Sequence, residues 1–205
     1  MRPLKSWFLP HDEDVLAHLR DHARTTQAVV QVVAAWGQGT VGHADAVASL
    51  RDLLEIELGR RRAVHAGVRG SFSTPLNPED LLELAERLGE VTQCSYALVR
   101  EAELSHTGPD LDLVTAIDAI SKATGLIVES IGELPSADAA TKADLGADCL
   151  EAAEHAYRSA IAALEDETDL RREIRRREVY RRVEHLSIAT GRVAHRIWYA
   201  VYKSS

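Results

Sequence analysis

Carboxylates four residues apart on a helix project from one face and can share a hard or borderline cation. Glu86 and Glu90 have that spacing, and Glu151 stands four residues before His155, with Glu154 between them. Glu55 belongs to a similar acidic stretch, Glu55-Ile-Glu57. These are the candidate ligands for a divalent metal. The competing reading is a set of solvated glutamates, because glutamate side chains are mostly exposed.

A second chemistry resides in Leu170-Arg-Arg-Glu-Ile-Arg-Arg-Arg-Glu-Val-Tyr-Arg-Arg182. Arg171, Arg172, Arg175 and Arg176 offer guanidinium forks, which suit phosphate oxygens. The run is a candidate anion or polyphosphate site. The competing reading is a solvated helix face, with Glu173, Glu178 and Glu184 paired to the arginines at helical spacing. Ile174, Tyr180 and Val183 are expected on the buried side of that helix.

Other chemistry finds little support. The nine histidines form no HExxH, HxH or Cys/His pattern. His155 and His195 are the two to inspect as ligands. No serine occupies a nucleophile elbow, and Gly37, Gly39, Gly42, Gly67 and Gly70 lack the Lys-Ser/Thr partner of a phosphate loop. No enzymatic activity is expected. Cys94 and Cys149 read as small apolar residues inside helices, not as a disulfide framework.

The elements that must position these residues are helices. The chain has 205 residues, 45% hydrophobic and only 5% aromatic, with alanine and leucine plentiful. That balance suits helix packing better than a sheet. The strongest start signal is Asn77-Pro78-Glu79-Asp80, an N-cap, a first-turn proline and two acids that complement the dipole. Leu81, Leu84, Leu88 and Val91 follow at helical spacing. Breakers near residues 37–42, 69–77, 105–109, 135–136 and 165–168 divide the chain into six amphipathic stretches.

The first helix is expected over 12–36, with Val15, Leu19, Thr26, Val29 or Val30, Val33 and Trp36 inward. The second covers 43–68, with Val47, Leu50, Leu54, Leu58 and Val64. The third runs over 78–104. The fourth begins at Asp110, with Leu113 or Val114, Ile117, Ile120, Ile127, Ile131 and Leu134 as its seam. The fifth spans 137–164, with Ala152, Ala156, Ser159 and Ala163 as a small-residue stripe. The sixth, capped by Asp169, continues to about residue 203. Short connections imply antiparallel neighbours. The expectation is one all-α domain over 1–205, built as two three-helix bundles with pseudo-halves of about 12–104 and 110–203.

The net charge of −8 argues against a general nucleic-acid binder. The opening Met-Arg-Pro-Leu-Lys-Ser-Trp-Phe-Leu-Pro lacks a signal-peptide core, and no stretch approaches the roughly 18 apolar residues of a membrane helix. The expected location is cytoplasmic, with any membrane role mediated by a partner. Trp7 or Phe8 is expected to pack near Trp198 and Tyr202. The preference for arginine over lysine, with the alanine content, suggests a GC-rich bacterial genome.

Ser71-Phe-Ser-Thr-Pro-Leu-Asn-Pro-Glu-Asp-Leu81, the opening Trp7-Phe-Leu-Pro10, Glu178-Val-Tyr-Arg-Arg-Val-Glu184 and Val193-Ala-His-Arg-Ile-Trp-Tyr-Ala-Val-Tyr-Lys203 together resemble the PhoU-like phosphate-transport regulators. The likeness is to the branch that accompanies low-affinity phosphate permeases, and it covers nearly the whole chain. It implies an all-helical cytoplasmic regulator, self-associating as a homodimer or larger, with an inorganic phosphate permease as partner. The family carries repeated acidic motifs that hold multinuclear iron or zinc clusters. Here Gly59, Gly89, Gln93 and Gly191 stand where acids are expected, so no complete cluster is expected. A weakly bound divalent metal at Glu86 with Glu90, or Glu151 with His155, is the remaining cofactor option. The alternative function is a metal- or polyphosphate-binding bundle that acts without a transporter.

Overall fold

The structure is a computed structural model and describes residues 14–203. Its order is α1 Val15–Gly37, α2 His43–Gly70, α3 Pro78–Ser105, α4 Leu111–Glu133, α5 Ala137–Ala163 and α6 Leu170–Lys203, with a short 3-10 turn, Leu164–Asp166, before α6. No strand occurs among the described residues.

Local chemistry sets the helix starts. Asp14 Oδ1 accepts the Ala17 N–H at 2.9 Å, Asn77 Oδ1 accepts that of Glu79 at 2.9 Å, and Asp110 Oδ1 accepts that of Leu113 at 3.0 Å. Asp169 does the same for Arg171 at 2.9 Å. Each carboxylate or amide satisfies a donor that the helix leaves unpaired. α3 ends at His106, whose φ of 52° is left-handed. That turn swings the chain sharply into the α3–α4 loop.

The helices form two antiparallel three-helix bundles. α1, α2 and α3 pack on one another, as do α4, α5 and α6, while α1 lies against α4 and α3 against α6. One continuous apolar cluster runs through both, from Val15 and Leu19 to Ile197 and Val201. Trp36, Leu50, Leu81, Leu88, Ile117 and Ile127 are among its fully enclosed side chains. Burial of each such side chain is worth about 1.5–3 kcal/mol.

The stripes of α1, α3 and α4 lie inward as their periodicity requires. Several expected core positions differ. Leu58 is 37% exposed, because the inward line of α2 passes through Leu50, Glu57 and Val64. Ile174 is 59% exposed, because the first turns of α6 project beyond its neighbours and burial begins at Val179. On α5 the packed residues are Ala139, Ala143, Gly146, Ala153, Ala156 and Ala160, while Ala152, Ser159 and Ala163 face outward. The stripe exists, but one step out of phase except at Ala156. The expected placement of Trp7 and Phe8 lies outside the described residues.

Candidate functional site

The most enclosed polar group of the first bundle is a chain of charges across three helices. His22 on α1 and Glu57 on α2 are both interior, with side chains 0% and 1% exposed. A carboxylate only accepts, so His22 Nε2–H donates to Glu57 Oε1, at 3.0 Å. Among the described residues, His22 Nδ1 has no partner. Arg61, one turn beyond Glu57, brings Nε to 3.4 Å of the same oxygen. Its Nη1–H donates to Glu86 Oε2 on α3 at 3.0 Å, and His65 Nε2 lies 3.1 Å from the other Glu86 oxygen. One guanidinium therefore pairs with two carboxylates from different helices.

Gly89 makes room for this arrangement. A Cβ there would lie 2.9 Å from Glu57 Oε1 and 3.1 Å from Arg61 Nη1. An aspartate at that position would drive into the ion pair. The donor set of this bundle does not fit a carboxylate-bridged metal cluster: a fixed organic cation already sits between the acids. Among the described residues, no three His, Cys, Asp or Glu side chains come together as a metal site.

The expected metal residues lie as follows. Glu55 is exposed on α2. Glu86 and Glu90 share α3 but face different cations, since Glu90 accepts from Arg192 on α6 at 2.8 Å. Glu151, Glu154 and His155 are exposed on α5, with Glu154 paired to Arg158. Glu151 and Glu154 border a cavity of about 330 Å³ between α5 and α6, together with Tyr157, Glu184 and Ser187. Burial there, and then the Glu184 carboxylate, push the Tyr157 hydroxyl above its ordinary range. His195 is exposed and stacks on Trp198, with ring centroids 6.4 Å apart.

Charged residues also join helices, both across the halves and within the second one. Asp80, at the start of α3 and 1% exposed, accepts from Arg196 at 2.6 Å and lies 3.5 Å from Lys203 Nζ. It thus fastens the start of α3 to the end of α6, besides complementing the α3 dipole. Asp110 joins α4 to α6: its Oδ2 accepts from both Arg176 and the Tyr180 hydroxyl. Burial alone would raise the Asp110 carboxyl. The hydrogen bonds from Tyr180, the Leu113 N–H and Arg176 outweigh it and hold the group below its ordinary value. Burial, and then that same Asp110, push Tyr180 up to about 12.

The arginine run divides between the two chemistries it allows. Arg177 pairs with Glu173 at 3.0 Å, and Arg181 and Arg182 pair with Glu178 at 2.6 and 3.1 Å, as on a solvated face. Arg172, Arg175 and Arg176 instead border a cavity of about 420 Å³ against the loop 105–109. Arg171 is exposed and lies outside that lining.

Sequence reasoning missed His22, Glu57, Arg61, Asp80, Asp110 and Tyr180 as network members. The signal was present for some of them. His22 falls between Leu19 and Thr26 on the α1 stripe, and Glu57 lies seven residues from both Leu50 and Val64. A polar residue on an inward line requires a polar partner. What spacing cannot supply is which distant residue provides it.

No family model matches the chain, and no curated protein matches it. Solved structures do. A PhoU-like protein of Shewanella oneidensis MR-1 superposes with a TM-score of 0.77 at 15% identity, over 92% of this chain and 99% of that one. A second structure from that organism, described as a PhoU-like phosphate regulatory protein, gives a TM-score of 0.68 at 14% identity over the same shares. Along nearly its whole length, this chain folds as those PhoU-like proteins do.

Proposed function

We propose that this chain is a non-catalytic accessory protein of inorganic phosphate transport, acting by docking to the cytoplasmic face of a phosphate permease of the low-affinity type. The observation that carries the reading is the likeness of fold over 92% of the chain, to one protein described as PhoU-like and another described as a phosphate regulatory protein. Among the described residues, no helix is long and apolar enough to cross a membrane. Contact with a transporter would therefore use an outer face of the bundles. Cytoplasmic loops of membrane proteins are rich in lysine and arginine. A chain at −8 with Glu151, Glu154 and Glu55 on exposed helix faces is suited to meet them.

The reading places the protein in the cytoplasm, peripheral to the inner membrane through its partner, and self-associated. The test of docking is co-purification. The tagged chain, expressed in its own cell and extracted in mild detergent, should retain a phosphate permease at low salt and release it at high salt. Retention of no permease at any salt would overturn the docking mechanism.

A further inference from the structure

We propose that the cavity between the α3–α4 loop and the start of α6 binds an inorganic phosphoanion with more than one phosphoryl group, such as diphosphate or a short polyphosphate. The proposal goes beyond the permease reading and does not depend on it.

Three arginines, Arg172, Arg175 and Arg176, line this space of about 420 Å³. Each is oriented by contacts that do not use all of its N–H groups, Arg176 by Asp110 and Tyr180 together. Arg172 Nε lies 3.3 Å from Glu167, Arg175 Nε–H donates to the Arg171 carbonyl at 3.2 Å, and Arg176 Nη2–H donates to Asp110. A guanidinium has five N–H donors in a rigid plane, so the anchored groups retain donors for a ligand. Arg172 and Arg176 are balanced by Glu167 and Asp110, whereas Arg175 has no acid partner among the described residues. Its charge is the uncompensated one.

The facing wall supplies small polar groups. Ser105 and Thr107 line it, and Gly108 adds backbone without a side chain. The left-handed residue His106 sets the loop in this position. The chain as a whole is acidic, with a net charge of −8, so a locally basic cavity does not follow from general basicity.

Charge and shape select the ligand class. A single carboxylate has the right sign but two oxygens only, fewer acceptors than three arginine side chains can serve. A single phosphate would leave much of a space of about 420 Å³ unfilled. The wall has no aromatic side chain besides the exposed His106, so nothing favours a stacked base. A linear inorganic oligophosphate matches both the donors and the space.

Isothermal titration calorimetry of the full chain with orthophosphate, diphosphate, tripolyphosphate and sulfate tests this. Tripolyphosphate and diphosphate should bind saturably with one site per chain, and more tightly than orthophosphate or sulfate. Arg175→Ala should weaken that binding by about tenfold or more, the worth of one charge-assisted contact. Arg175→Lys keeps the charge but not the fork, so it should fall between the two. Arg171→Ala, outside the cavity, should bind as the parent does. Unchanged melting of all variants establishes that they are folded. Absence of saturable oligophosphate binding would overturn the proposal. So would equal losses in Arg171→Ala and Arg175→Ala, which mark diffuse attraction to a basic helix.

Discussion

Arg61 holds two carboxylates that would otherwise repel, and one of them is inside the protein. Glu57 is 1% exposed, so its charge depends on Arg61 and on the hydrogen bond from His22. Arg61→Met removes the cation and leaves the buried charge in place, which costs about 3 kcal/mol. Glu57→Gln keeps an acceptor for His22 and removes the charge itself, so the loss should be smaller, about 1 kcal/mol. Urea denaturation measures both, and equal stability of Arg61→Met and the parent would refute the electrostatic reading. Asp110 provides the pH-sensitive contact. Its folded-state pKa lies below the unfolded one, so the stability it adds is present above pH of about 4 and is lost as pH falls through the folded value. Asp110→Asn should therefore lower stability at neutral pH and flatten its decline below pH of about 4. A parallel decline in both proteins would show that other carboxylates dominate.

Helix existence and type were readable because three- and four-residue spacing reports one face directly. The Ile117, Ile120, Ile127 and Ile131 seam of α4 is inward for that reason. Phase was harder on α5, where alanine occurs on every face and carries little contrast. Ala152 and Ala153 are neighbours of one type, yet only Ala153 packs. Ile174 misled because periodicity says which face a residue occupies, not whether another helix reaches that far. α4 and α5 approach closely at Gly146, where a Cβ would lie 3.2 Å from the Ala123 carbonyl oxygen and 3.4 Å from Ile127 Cγ1. A backbone oxygen cannot move aside as a side-chain tip can. Gly146→Leu should part the two helices and lower stability by about 1–3 kcal/mol. A thermal scan showing no loss would mean that α5 can shift without cost.

At the scale of the molecule, the two bundles meet along α1–α4 and α3–α6, and Asp80 with Arg196 closes one end of the second seam. None of these long-range pairings was visible in the sequence, since residues 80 and 196 share no pattern. The same holds for the site. The acids and arginines could be named, but not that Arg61 would divide the acids, nor that only part of the arginine run would border a cavity. Trp198, Tyr199 and Tyr202 remain partly exposed on the last turns of α6, at 38%, 41% and 60%. Together with Phe72 at 97%, they offer apolar surface for contact between copies. Light scattering at high micromolar concentration should report a dimer or larger; a monomer there would contradict self-association. The central claim concerns phosphate entry, and its most direct test is the rate of labelled phosphate uptake in cells with and without the gene, in phosphate-rich and phosphate-poor medium. The account predicts an altered rate that returns when the gene is restored on a plasmid, and unchanged uptake in both media would contradict it.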